Sequence, residues 1–187
     1  MLVKPDINWL FKKYYSDNHE LRRIILIHSQ QVAKKALAIA KEKHLKLNDN
    51  DIYVAAMLHD IGVVKCNAPD IYARGTLPYL QHGCEGKKIL DEIGLYKYGR
   101  ICLTHTGSGI TKEEIIKRNL PLPPQDMLPK TLLEKLICYA DKFYSKSRDL
   151  KKEKNLDQIM EQMAGFGEES LNRFLELHNL FNTSEGK

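Results

Sequence analysis

Apolar residues recur with the period of an α-helix along most of this chain, and alternating strand-like runs are few. The most regular stretch begins at residue 21, where apolar positions follow i, i+3, i+4, i+7 and i+11, and it continues to about residue 43. The same spacing predicts further helices over 52–59, 79–93, 101–105, 133–141 and 156–181. The pattern therefore predicts an all-α fold.

Polar and glycine residues mark several ends of these helices. Asn48–Asp51 supply N-cap candidates before the helix at 52–59, and Gly62 is placed to end that helix in a left-handed turn. Gly94 is expected to stop the helix at 79–93, and a break near Gly165–Gly167 divides the last helical stretch. Residues 63–78 and 106–130 contain several prolines and glycines, which is typical of functional loops and equally of plain connectors.

Composition indicates an ordinary globular protein of 187 residues, with 43% hydrophobic and 28% charged residues. We interpret residues 1–187 as a single domain, with a helical core over about 20–150 and carboxy-terminal helices over 151–182. The chain has no apolar run of membrane-spanning length and no basic-then-apolar leader, which indicates a cytoplasmic protein without a membrane partner. The four cysteines form no C-x-x-C motif, so we expect reduced, mostly buried thiols.

Several polar residues stand where an apolar residue would fit the helical pattern. They are His28, His59 and Asp141, and Asp60 directly follows the second of them. A lone histidine at such a position is usually a hydrogen-bonded core residue, but an unpaired buried carboxylate costs several kcal/mol. Several such residues on different helices suggest one shared partner, and a metal ion would satisfy both imidazole and carboxylate. Imidazole mixed with carboxylate favours Fe, Mn, Co, Ni or Zn in an open catalytic site.

The order His28…His59-Asp60…Asp141 resembles the H…HD…D signature of the HD-domain superfamily of metal-dependent phosphohydrolases. The run His-Asp-Ile-Gly at 59–62 also matches the signature of the HDIG subgroup, and the resemblance covers about residues 20–150. It implies a helical bundle with a central metal site whose ligands are His28, His59, Asp60 and Asp141.

Two further histidines extend the resemblance. His82 and His105 are similar to the added ligands of HD proteins that hold two metal ions, with Asp60 bridging the ions and orienting the nucleophile. Cys102, one helical turn before His105, is a minor ligand candidate against simple packing. The His-Thr-Gly run at 105–107 and Tyr-Ala-Asp-Lys at 139–142 are similar to the bacterial dinucleoside-tetraphosphatase branch. The proline-rich stretch at 119–130 departs from that branch, so its substrate is not carried over.

The net charge is +5, and residues 142–154 are rich in lysine and arginine. This run is either a solvated helix end or a basic rim that attracts a phosphorylated substrate. Candidate phosphate contacts are Lys65, Arg74, Lys142 and Arg148, each with ordinary surface charge as the alternative. A nucleic-acid partner is not expected, because the chain has no glycine-rich RNA motif and no finger spacing. The sequence gives no indication of the oligomeric state.

The resemblance implies a metal-dependent phosphohydrolase that holds one or two divalent transition-metal ions. Metal-activated water would cleave a phosphoester or phosphoanhydride of a small nucleotide-like molecule, with Asp60 as the catalytic residue. Two alternatives remain open. One is an HD-type diiron oxygenase, and the other is a non-catalytic nucleotide-binding module.

Overall fold

The chain folds into a bundle of α-helices, which a computed structural model describes for residues 6–147 and 149–182. In chain order, the helices are α1 (Ile7–Tyr15), α2 (His19–Glu42), α3 (Asp49–Leu58), α4 (His82–Asp91), α5 (Tyr96–Thr104), α6 (Lys112–Lys117), α7 (Leu132–Asp141), α8 (Leu156–Gly165) and α9 (Glu168–Asn182). Three short strands are β1 (Cys66–Ala68), β2 (Ala73–Arg74) and β3 (Leu77–Pro78). They form a small sheet in the order β2-β1-β3, in which β1 pairs antiparallel with β2 and parallel with β3. The predicted all-α class is confirmed.

Helix α2 lies against α3 and α7 and places a histidine in the middle of the bundle. The Asn18 side chain accepts a hydrogen bond from the backbone of Leu21, which satisfies one of the free donors at the start of the helix. The predicted apolar face is buried, with Ile25 and Val32 both 0% exposed. Since His28 lies on the same face, its imidazole is also completely buried.

Helix α3 ends just before the His-Asp pair. Asn48 caps its start by accepting a hydrogen bond from Asp51, as the sequence predicts, and His59 follows its last residue. The predicted left-handed turn at Gly62 is wrong, because Gly62 lies in a short 3-10 helix (Ile61–Lys65) and does not have a positive φ. A glycine is required at position 62 for another reason. A Cβ atom there would lie 2.1 Å from the carbonyl oxygen of His82 and 2.2 Å from the backbone nitrogen of Gly86. The backbone of α4 therefore packs directly on this turn.

The other element ends largely follow the sequence. Gly94 has a φ of 76° and follows the end of α4, and Gly167 has a φ of 115° between α8 and α9. The two irregular segments contain more structure than the pattern predicts, because 63–78 holds the small sheet and 106–130 holds α6. Helix α1 is absent from the sequence predictions, although its Leu10, Phe11 and Tyr15 are buried in the core.

The apolar core is continuous around the central histidine, and a smaller cluster of Leu103, Ile115 and Met127 lies beside it. The cysteines are free, and Cys66, Cys102 and Cys138 are buried among apolar side chains. This arrangement agrees with the expected free thiols. Within the described residues, every helix is too short or too polar to cross a bilayer.

Candidate metal centre

Two groups of histidine and aspartate side chains meet in the centre of the bundle and share Asp60. The first group is His28, His59, Asp60 and Asp141, and the second is Asp60, His82 and His105. In each group, one donor atom from every residue lies within 4.8 Å of the others, and all six side chains are buried. The ligand candidates come from α2, the ends of α3, α5 and α7, and the first turn of α4.

The first group is compact. The Nε2 atom of His28 lies 3.3 Å from Nε2 of His59 and 2.9 Å from Oδ1 of Asp141. The Oδ2 atom of Asp60 lies 3.3 Å from Nε2 of His28 and 3.1 Å from Nε2 of His59. Four donor atoms from three separate parts of the chain therefore converge on one point.

The second group uses the other oxygen of the same carboxylate. The Oδ1 atom of Asp60 lies 3.3 Å from Nε2 of His105 and 3.6 Å from Nε2 of His82. The two histidine nitrogens are 3.0 Å apart. Because Oδ2 faces the first group and Oδ1 the second, the two groups share this one carboxylate.

Local hydrogen bonds orient three of the imidazoles. The Nδ1 atom of His59 lies 2.6 Å from the carbonyl oxygen of Ala56, and the Nδ1 atom of His105 lies 2.8 Å from the carbonyl oxygen of Cys102. In His82 the corresponding distance, to the carbonyl oxygen of Tyr79, is 2.7 Å. A carbonyl oxygen only accepts, so in each ring Nδ1 carries the proton and Nε2 presents a lone pair to the cluster. This tautomer is the one that a metal ligand requires.

The charges of the cluster favour a bound cation. Burial opposes ionisation of Asp60, but His59 and Lys146 hold the pKa of this carboxyl well below its usual range. Burial would also lower the pKa of His59, yet Asp60 and Asp141 raise it to about 9 by attracting a proton. By contrast, burial and the neighbouring His105 lower the pKa of His82 to about 3. The centre thus combines ionised carboxylates with a neutral His82 and with a His59 position that attracts a cation, either a proton or a metal ion.

The donor set fits divalent metal ions. Donors bonded to one ion at about 2.0–2.2 Å lie about 3.0–3.6 Å from each other, and the donor separations in both groups span 2.9–3.6 Å. With both Nδ1 atoms protonated, the lone pairs of His82 and His105 face each other at 3.0 Å, and a cation between them would stabilise this arrangement. The buried His and Asp groups could therefore hold one ion each. Cys102 lies apart from these donors, since its thiol donates to the carbonyl oxygen of Leu58 at 3.3 Å.

A cavity of about 540 Å³ opens over the second group. His82, His105 and Asp141 line its floor, and three lysines line its walls: Lys142, Lys146 and Lys154. The Nζ atom of Lys146 lies 2.8 Å from Oδ2 of Asp60. Sequence reasoning missed Lys146 and Lys154 as site residues, although both belong to the basic run at 142–154.

The four predicted phosphate contacts have different outcomes. Lys142 lines the cavity, and its Nζ donates to the carbonyl oxygen of His105 at 3.0 Å and to Asp141 at 2.6 Å. The structure does not bring Lys65 and Arg74 to the cavity, since both side chains are exposed elsewhere. In β2 the alternation buries Ala73 and turns Arg74 outward. Arg148 lies outside the described residues.

Similar proteins include three archaeal relatives. An uncharacterized protein of Methanocaldococcus jannaschii is 39% identical over 60% of this chain and 59% of its own length. A tRNA (cytidine(56)-2'-O)-methyltransferase of Thermoplasma volcanium is 29% identical over 87% of the chain and 43% of its own length. The tRNA (cytidine(56)-2'-O)-methyltransferase of Picrophilus torridus is 33% identical over 74% of the chain and 36% of its own length. The chain thus spans only part of these relatives, and no solved structure matches it.

The sequence profile of the HD domain matches residues 25–145. All six buried candidates, from His28 to Asp141, fall inside this range and meet at the centre just described. The chain therefore belongs to the HD domain family and has the fold of the HD superfamily of metal-dependent phosphohydrolases.

Proposed function

We propose that this protein is a metal-dependent phosphohydrolase that cleaves a phosphoester or phosphoanhydride of a small, nucleotide-like molecule. The observation that carries the proposal is the position of Asp60. One oxygen of this carboxylate faces three donors and the other faces two. Three of these donor residues, His82, His105 and Asp141, line the floor of a cavity whose walls carry lysines. Two metal ions that share one carboxylate are a recurrent arrangement for phosphoryl transfer to water.

The residues around the centre have complementary roles. Divalent metal ions supply Lewis acidity to phosphoryl oxygens and lower the pKa of bound water. Asp60 contacts both donor groups from behind the cavity floor, where it would keep their donor atoms in place and orient the attacking water. The ammonium group of Lys146, 2.8 Å from Asp60, lies where it can neutralise charge on a phosphoryl group. Lys142 holds the Asp141 carboxylate in place through its 2.6 Å contact.

The cavity is suited to a small molecule with an organic part. Its volume of about 540 Å³ lies in the usual range for small-ligand sites. Beyond the lysines, the apolar side chains of Ile71, Met163 and Phe166 line the wall and offer contact for a base or another apolar group. A nucleotide combines both requirements, and this combination is why we place it first.

RNA is included among the candidate substrates. Two relatives are named as tRNA methyltransferases, although the part shared with this chain is less than half of each. With a volume of about 540 Å³, the cavity could admit a terminal nucleotide of RNA as well as a free one. We therefore keep the small nucleotide as the proposal and test RNA beside it.

A substrate screen with defined metals tests this function. The full chain is loaded in turn with Mn²⁺, Fe²⁺, Co²⁺, Ni²⁺ and Zn²⁺, its metal content is measured, and phosphate release is followed. Substrates are nucleoside monophosphates, dinucleoside polyphosphates, cyclic nucleotides and RNA with terminal phosphates. We expect hydrolysis in the wild type and loss of activity in Asp60→Asn. Oxygen consumption by the iron-loaded protein without phosphate release would favour the diiron oxygenase, and nucleotide binding without turnover would favour a binding module.

A further inference from the structure

One wall of the cavity comes from the part of the chain that follows the HD match. The match ends at residue 145, and the cavity residues beyond it include Lys146, Lys154, Gln162 and Phe166. The loop before α8, α8 itself and the residue that follows its end supply these side chains. This wall therefore belongs to a segment that the family profile does not match.

The three cavity lysines differ in their partners. Lys142 lies 2.6 Å from the Asp141 carboxylate, and Lys146 lies 2.8 Å from that of Asp60. Lys154 instead donates to Oε1 of Gln162 at 2.9 Å, and this amide carries no charge. Within residues 6–147 and 149–182, no carboxylate lies within ion-pair distance of Lys154. Its ammonium group on the cavity wall therefore has no direct carboxylate partner among the described residues.

The position of Lys154 is well defined by the backbone. Its backbone nitrogen donates to the carbonyl oxygen of Phe143 at 2.8 Å, and Asn155 next to it forms a capping box with Gln158 at the start of α8. Burial lowers the pKa of Lys154, Asp141 opposes this effect, and the nearby Lys142 and Lys146 add to it. A partly buried cation beside two others gains most from an anionic ligand.

We propose that Lys154 and Gln162 form a second anion subsite, which binds a phosphoryl group of the substrate other than the one that is cleaved. The Nε2 atom of the Gln162 amide would donate a hydrogen bond to the phosphoryl group, and the ammonium of Lys154 would supply the positive charge. The subsite rests on the proposed function, because it assumes that the reacting phosphoryl group lies over the Asp60 centre. It predicts that the preferred substrates carry two phosphoryl groups.

Binding of matched nucleotides tests the subsite. The Mn²⁺-loaded full chain is titrated calorimetrically with AMP, ADP and adenosine 3',5'-bisphosphate at equal free Mn²⁺, and hydrolysis is recorded in parallel. We expect at least one of the two bisphosphorylated nucleotides to bind about tenfold more tightly than AMP, a difference of about 1.4 kcal/mol. Lys154→Gln should remove this advantage and leave AMP affinity within about twofold, whereas Lys152→Gln, the same change at an exposed neighbour, should retain it.

A second variant separates charge from structure. Gln162→Glu keeps the side-chain size at an exposed position and places a carboxylate beside Lys154, so it should also remove the advantage. An advantage that persists in both variants, or that is absent from the wild type, would overturn the subsite. Continued hydrolysis of monophosphates would then leave the phosphohydrolase function intact. A Lys154-dependent preference without hydrolysis of any ester would instead contradict the proposed function and support the subsite alone.

Discussion

The Nζ atom of Lys146 lies 2.8 Å from Oδ2 of Asp60, so the first residue beyond the HD match contacts the carboxylate that both donor groups share. Both side chains are largely buried, and the contact joins the cavity wall, at Lys146, to the carboxylate behind the cavity floor. Burial would lower the pKa of Lys146, but Asp60 raises it well above its usual range, which keeps the ammonium charged. A charged ammonium group therefore lies beside the candidate metal centre.

Asp60→Asn should remove activity while the fold is retained. The amide has the shape of the carboxylate but not its charge. Both donor groups therefore lose the negative charge that they share. We expect loss of at least half the bound metal and about a 1,000-fold lower kcat/KM, equal to about 4 kcal/mol of transition-state stabilisation. Metal analysis, circular dichroism and initial rates measure these effects. Asp17→Asn, the same change at an exposed aspartate that does not line the cavity, is the matched control and should behave as the wild type.

His105→Ala should lower the metal content from about two ions to about one per chain. The substitution removes one of three donors in the second group and leaves the first group, around His28, complete. Inductively coupled plasma mass spectrometry after metal loading and gel filtration measures the stoichiometry. His19→Ala, an exposed histidine at the start of α2, should retain both ions. A single ion in the fully loaded wild type would contradict the two-ion arrangement but not the HD fold.

Gly62→Ala should destabilise the protein by about 3 kcal/mol, the upper range for overpacking. The new Cβ would meet two backbone atoms, at 2.1 Å in His82 and 2.2 Å in Gly86, and neither can move without shifting α4. Urea denaturation followed by circular dichroism measures the free energy of unfolding. Gly165→Ala is the control, because nothing lies within 4 Å of its Cβ position, and its stability should change by no more than about 1 kcal/mol. Equal stability of the two variants would disprove the close approach.

The Arg173–Glu114 ion pair should stabilise the protein above pH 4.5 and lose this effect in acid. Burial acts to raise the pKa of Glu114, but hydrogen bonds from Arg173 and Thr111 lower it below the ordinary value of 4.5. A lowered folded-state pKa means that stability is present at neutral pH and is lost as pH falls from 4.5 through the native pKa. Arg173→Gln should therefore be less stable than the wild type at pH 7 by about 1–3 kcal/mol, and the difference should shrink at pH 3. A pH-independent difference would assign the effect to packing alone.

The sequence was sufficient for the parts of the site that lie on regular helices. His28 and Asp141 lie on the apolar faces of their helices. Because the helical period fixes which face is buried, the pattern predicts that both side chains point into the core. His59 and His105 stand one position beyond the ends of such helices, where the same period still applies. The division of the chain into core and carboxy-terminal helices stays a prediction.

The cavity wall was not predictable in this way. Lys146 and Lys154 lie between α7 and α8, where no period indicates which side chains turn inward, so they could not be separated from the exposed Lys151 and Lys152. Gly62 was misassigned for a related reason: its glycine is needed by the approach of α4, which is distant in sequence. Long-range backbone contacts of this kind leave no local signal.

The tight contact of α4 on the turn at Gly62 has a consequence for metal affinity. The same helix begins with His82, so main-chain contact at Gly62 and Gly86 fixes the second donor group relative to Asp60. The carbonyl contacts of the imidazoles likewise involve no ion. The conformational entropy of ordering these donors is therefore lost when the chain folds, and it does not weaken the binding of the ions themselves.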